Sequence, residues 1–222
     1  MKKILIRIVL WFLALYAYLN GAGLLTFDMV AHQRPDIPAE WVERMVPIFG
    51  VIGLVFLTAM SYLYWKYVYS KKDITIELPK PWMSNILYPI GLFLLVLVGQ
   101  QVLPVPPSNN QQLVEQSVLS QPLFSFFAVV VFAPIMEELL FRGVFAGYFF
   151  PTLTKKISII FYLFLSSGLF CLAHGPRTLS DFLIYFTMGV SLGWLYLAKR
   201  DLRYSVGLHF ANNLLSFVTI LL

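Results

Sequence analysis

Glu137, Glu138 and Arg142 stand inside one long apolar run that extends from Pro122 to Phe150. Ionisable side chains within hydrocarbon are costly and rare, so three in one run call for a chemical reason. On a helix, Glu138 and Arg142 lie four residues apart on a shared face and can neutralise each other. Glu137 points about 100° away from Glu138, which leaves it without a partner on its own helix. Two imidazoles and a carboxamide accompany this carboxylate. His174 ends the next apolar run, in Phe170-Cys171-Leu172-Ala173-His174-Gly175-Pro176. His209 and Asn213 are four residues apart and face the same way on the last run, while Asn212 points elsewhere.

Taken singly, each group has a plain structural use. Glu138 and Arg142 can order a bundle, His174 can cap a helix end, and His209 with Asn213 can bond between helices. Together they are the parts of a hydrolytic site. A carboxylate in low-dielectric surroundings takes a proton more readily than in water, and can do so from a bound water. An imidazole can position that water, and imidazole and carboxamide N–H groups can stabilise a tetrahedral oxyanion. Alternatively, Glu137, His174 and His209 form a two-His, one-carboxylate set able to hold a divalent metal such as zinc, with one position left for water. Other membrane chemistries find little support. The helical His-Glu-x-x-His zinc motif is absent, and so are paired intramembrane aspartates. Ser166-Ser167-Gly168 lacks the context of a serine nucleophile. Cys171, the single cysteine, sits among apolar neighbours and reads as packing.

The elements that must position these groups follow from composition. The chain has 222 residues, 59% hydrophobic and 12% charged, where soluble domains carry roughly 25% charge. Mean hydropathy is +0.77 and the pI about 9.3. So little charge cannot coat a globule of this size, so lipid is the solvent for much of the chain. Seven windows are long and apolar enough to cross a bilayer as helices: Ile4–Leu25, Val46–Tyr64, Ser84–Leu103, Pro122–Phe150, Ile157–Ala173, Phe182–Ala198 and Ser205–Leu222. They lack the strict alternation of a barrel. The expectation is an all-α, polytopic membrane helix bundle with about seven transmembrane helices.

Most of the 16 basic residues fall on one side of such a bundle: Lys2, Lys3, Arg7, Lys66, Lys71, Lys72, Lys80, Lys155, Lys156, Lys199, Arg200 and Arg203. The positive-inside rule then places the N-terminus in the cytoplasm and the C-terminus outside. Basic residues distributed this way set topology and touch lipid headgroups, which excludes nucleic acid as a partner. The first apolar run is too long for a cleaved leader. The Pro-rich, Lys-free stretch 104–121 is expected as an extracytoplasmic loop. It separates an amino-terminal three-helix region (1–103) from a catalytic four-helix core (122–222). Gly143-x-x-x-Gly147 and Gly189-x-x-x-Gly193 have the spacing of close helix packing. Tyr62 to Lys72 reads as an interfacial aromatic belt, and His32 as a solvated loop residue.

Glu-Glu-x-x-x-Arg (Glu137, Glu138, Arg142), Phe-x-x-x-His (Phe170, His174) and His-x-x-x-Asn (His209, Asn213), in this order, resemble the motifs of the CAAX protease and bacteriocin-processing (Abi) family of intramembrane proteases. The resemblance covers about Pro122 to Phe217. It implies peptide-bond hydrolysis within the membrane, of the CAAX prenyl endoprotease type, with or without a metal. Residue by residue, it implies that Glu137 activates water and His174 binds or polarises it. His209 and Asn213 serve the oxyanion, and Glu138, Arg142 and Phe170 support the site. Lys-rich inner loops suit a bacterial plasma-membrane protein acting on a membrane-associated or lipophilic peptide. The alternatives are a non-catalytic bacteriocin immunity protein and a small proton-linked transporter.

Overall fold

The protein is described by a computed structural model over residues 2–32, 34, 36–70, 74–102 and 106–222. In chain order the helices are α1 (Lys2–Leu25), α2 (Phe27–His32), α3 (Ala39–Ser70), α4 (Leu87–Val102), α5 (Asn109–Ser120), α6 (Pro122–Phe149), α7 (Lys156–Ala173), α8 (Leu179–Lys199) and α9 (Leu202–Leu221). The strands β1 (Thr75–Ile76) and β2 (Thr152–Leu153) pair in parallel, two residues each. The fold is an all-α bundle, and each of the seven apolar windows overlaps one of these helices. Five of them, α1, α3, α6, α7 and α8, are long and apolar enough to cross a membrane. With 16 residues, α4 is shorter than the roughly 20 a spanning helix needs. In α9 the length is sufficient, but His209, Asn212 and Asn213 dilute its apolar character. The readings of Lys71, Lys72 and the His32 side chain lie outside the described residues.

The stretch 104–121 is not the loop its composition suggests, since 12 of its residues form α5. Ser108 starts that helix by accepting the Gln111 backbone N–H at 3.1 Å. Its far end is anchored by burial of Val118 against Val130 and Phe217. The Ser117 and Ser125 hydroxyls meet at 2.6 Å, joining α5 to the start of α6. An apolar contact and a cap thus make a helix where composition reads as turn.

The bundle is built around α6. Met136, Leu139 and Leu140 are fully enclosed, whereas α1 keeps Ile4, Leu5, Phe12 and Leu13 on the outside, where lipid would lie. Along two stretches, Phe126–Phe132 and Leu139–Val144, α6 winds in wide π turns. Such turns bond five residues back, cluster near functional sites and expose carbonyls. Here side chains of other helices add donors to these carbonyls, that of Leu140 also accepting the Phe145 N–H. Trp11 Nε1 donates to the Leu140 carbonyl at 2.9 Å, and Ser166 Oγ donates to that of Phe141 at 2.7 Å.

The neighbours of α6 are held by caps and close contacts. A reciprocal capping box between Thr178 and Asp181 opens α8. Asp201 caps α9 through the Arg203 N–H. Between α7 and α8, Gly189 lies against Ser167, so that a Cβ there would stand 3.0 Å from the Ser167 Cα. Gly193 continues that face against Leu163. The small-residue spacing on α8 therefore serves packing within the chain.

Candidate active site

Three elements deliver the acid and the two imidazoles to one place. Glu137 stands on the short α-helical stretch of α6 between its two wide segments. His174 caps the end of α7, where Gly175 turns the chain away with a φ of +60°, a conformation that favours glycine. His209 is a residue of the third turn of α9. Glu137 Oε2 lies 3.8 Å from His174 Nε2 and 3.9 Å from His209 Nε2. Sequence counting alone puts the two histidines near opposite ends of their spans, and the bundle nonetheless brings them together. The Glu137 and His174 side chains retain 13% and 14% exposure, so the meeting point is not sealed.

The far side of each ring decides which nitrogen faces the acid. His174 Nδ1 lies 2.7 Å from the Phe170 carbonyl, which can only accept, so this nitrogen carries the proton. His209 Nδ1 lies 3.2 Å from Glu138 Oε1 and donates in the same sense. Both Nε2 atoms therefore turn to Glu137, with a lone pair whenever the ring is neutral. Glu137 Oε2 is buried and has no hydrogen-bond partner among the described residues. Two ring nitrogens and one carboxylate oxygen thus face a common gap.

Behind this trio lies a dry layer. Glu138 and Arg142 are fully enclosed, with Arg142 Nε 3.3 Å from Glu138 Oε2. Arg142 also donates from Nη2 to the Gly189 carbonyl at 3.1 Å and sits 4.6 Å over the Phe170 ring. Phe170 in turn meets the His174 ring at 4.4 Å and the His209 ring at 5.8 Å, so one aromatic side chain touches both imidazoles and the guanidinium. Glu138 bridges Arg142 to His209, which fixes the His209 ring as a second-layer carboxylate orients a ligating or catalytic histidine.

Asn213 is placed differently. Its Nδ2 donates to the Val129 carbonyl at 2.9 Å, and its Oδ1 accepts from Asn212. Local chain chemistry explains the first bond. The Ala133 N–H reaches five residues back to Ala128, and the next residue in that series, Pro134, has no N–H to offer Val129. Asn213 supplies the donor that Pro134 lacks.

Two aromatic residues join the site unannounced by the sequence motifs. Tyr18, on α1, donates its hydroxyl to Glu137 Oε1 at 3.1 Å. Tyr185, on α8, stacks on the His174 ring at 4.5 Å with 25° between planes. Its hydroxyl is held by Ser108 at 2.8 Å, which ties the α5 cap to the wall of the site. Tyrosines are so frequent here (12 in the chain) that neither stands out by composition. The available signal is the buried seam Trp11, Ala14, Tyr18, Gly21 and Leu25, spaced three and four apart along α1.

Whether the trio suits a metal can be judged from its spacing. Tetrahedral zinc with bonds of about 2.0–2.1 Å sets its donors roughly 3.4 Å apart. The Glu137–His separations of 3.8 and 3.9 Å exceed that. Among the described residues, no group of three or more His, Cys, Asp or Glu side chains is arranged to hold a metal ion. Either Glu137–imidazole separation does suit a bridging water within about 2.8 Å of both atoms.

Residues 119–215 match the family model described as type II CAAX prenyl endopeptidase Rce1-like. The likeness to that family covers less than half of the chain. The matched segment contains Glu137, His174, His209 and Asn213, and the Rce1-like match stops short of α1 with Tyr18. The chain is also 29% identical over 119 residues to the membrane-embedded CAAX protease MroQ of Staphylococcus aureus (strain USA300). That alignment takes in 52% of this chain and 44% of MroQ, so the match spans less than half the length of this relative. No solved structure matches.

Proposed function

We propose that this chain is an intramembrane endopeptidase that hydrolyses a peptide bond in a membrane-associated or lipophilic peptide or protein. The observation that carries the reading is the partnerless Glu137 Oε2 facing two imidazole Nε2 atoms at 3.8 and 3.9 Å. A water in that gap gives one hydrogen to Glu137 Oε2 and the other to His174 Nε2, with a lone pair left for attack. Glu137 takes the proton as the oxygen adds to the scissile carbonyl carbon. His209, when its ring carries a second proton, presents Nε2–H to the developing oxyanion while Glu138 compensates its charge. Glu137 then passes its proton to the amide nitrogen and the C–N bond breaks. One product ends in a carboxylate and the other begins with an amine. No step is routed through a metal, because both Glu137–imidazole separations are wider than tetrahedral zinc sets its donors.

The Rce1-like match and the likeness to MroQ support the reaction class. The Lys-rich ends support a bacterial plasma-membrane location with the N-terminus inside. The test uses purified protein in micelles with an internally quenched, farnesylated peptide that ends in a CAAX-type sequence. E137Q, H174A and H209A should each lose at least about a hundredfold in cleavage, with unfolding transitions retained. Undiminished cleavage by all three variants overturns the reading. Flux of protons or solutes in vesicles, abolished by E137Q while cleavage persists, would replace it with transport.

A further inference from the structure

We infer that Tyr18, on the amino-terminal helix, is a positioning residue that fixes which oxygen of Glu137 serves as the base. This rests on the peptidase reading above and extends the site beyond the segment that matches the family. A glutamate carboxylate turns easily about its last torsion, which is broad and roughly two-fold. Left alone, it would present either oxygen, at a range of angles, to the gap between the imidazoles. The Tyr18 hydroxyl, 3.1 Å from Oε1, removes that freedom. With Oε1 occupied, Oε2 is the oxygen left facing His174 and His209.

Tyr18 can hold this position because α1 is itself pinned along α6. Arg7 donates to the Tyr148 carbonyl at 2.7 Å, Trp11 to the Leu140 carbonyl at 2.9 Å, and Tyr18 to Glu137. As the donor moves forward along α1, the acceptor moves back along α6, so the two helices run antiparallel. Trp11 and Tyr18 are seven residues apart, two turns on one face. Tyr18 is only 5% exposed, so water does not compete for its hydroxyl. A phenol has the length to cross from one helix axis to the next while burying its ring, which neither serine nor threonine could do.

Y18F deletes the hydroxyl and keeps the ring. On the farnesylated reporter, kcat should fall about ten- to a hundredfold while KM stays within about twofold. The decisive comparison is made in the E137Q background, where adding Y18F should leave the residual rate unchanged. A role in folding alone would lower both backgrounds by the same factor, and that result overturns the inference. A substrate-free measurement stands beside it. The infrared carboxylate band obtained by subtracting E137Q from wild type should shift in Y18F, and an unmoved band also overturns it. The two readings separate cleanly. Y18F with full kcat beside an inactive E137Q sinks the role of Tyr18 alone, whereas E137Q with full activity sinks the peptidase mechanism beneath it.

Discussion

Asn213 offers a test in which stability and catalysis can be read apart. Its amide meets a carbonyl that Pro134 leaves without a helical donor. N213A strands that carbonyl in the bundle. A buried acceptor left bare costs about 1–3 kcal/mol, while side-chain hydrogen bonds inside membrane proteins average about 0.6 and reach about 1.7 kcal/mol. Asn213 is half-buried, so a loss of roughly 1–1.5 kcal/mol is expected. P134A restores an N–H five residues beyond Val129, continuing the series that runs from Ala133 to Ala128. In that background N213A should cost less than about 0.5 kcal/mol, a coupling near 1 kcal/mol between two residues that are far apart in sequence. Reversible unfolding of the four proteins in mixed micelles, titrated with SDS, gives the cycle. Equal losses in both backgrounds would refute the proposed link. Cleavage of the reporter gives a second readout. If activity returns together with stability in P134A/N213A, Asn213 acts through the shape of α6. If stability returns and cleavage does not, its amide serves the oxyanion directly.

G189A places a methyl group 3.0 Å from the Ser167 Cα, where backbone cannot swing aside; a loss of about 1–3 kcal/mol is expected in the same unfolding titration, and an unchanged midpoint would contradict the close α7–α8 packing. Asp201 accepts from the Arg203 side chain and from Tyr69, and the Arg203 hydrogen bond leads in holding its carboxyl down from 3.8 to about 2. A lowered native value means stabilisation that is complete above the unfolded value near 3.8 and lost as pH falls through about 2. The melting temperatures of wild type and D201N should therefore differ at pH 7 and converge towards about pH 2; a gap that persists there would be inconsistent with this. Treatment with a strong chelator should leave reporter cleavage within twofold, with no stoichiometric zinc by elemental analysis; parallel loss of metal and activity would reinstate the two-His, one-carboxylate metal site.

Much of this fold was legible because membrane spans are written in long apolar runs, and each of the seven windows overlaps a helix. The pairing of Glu138 with Arg142 was legible for a similar reason, since helix periodicity alone puts the two on one face. What one-dimensional periodicity cannot carry is depth and tilt. Counted along straight helices, His174 and His209 fall near opposite ends of their spans, whereas the packing of α7 and α9 against α6 brings both to Glu137. Nor does a periodic pattern mark π turns, so the side-chain bonds to the Val129, Leu140 and Phe141 carbonyls were invisible. Tyr18 escaped notice because a tyrosine in an apolar run looks like any other bulky residue until its hydroxyl has a partner. The 104–121 stretch misled by its composition, since the burial that stabilises α5 comes in part from Phe217, nearly a hundred positions away.

The wide turns of α6 also limit how such a chain could be divided. A span whose carbonyls take hydrogens from Trp11, Ser166 and Asn213 is tied to three other helices. Excised with only its carboxy-terminal companions, it would keep the serine and the asparagine but lose the indole. Grafting residues 119–215 onto a foreign amino-terminal half should therefore yield a protein that inserts but does not mature, unless the graft brings an indole and a phenol two turns apart. The motif-bearing half of such a chain is thus not a portable module, and exchange between relatives would have to cut elsewhere.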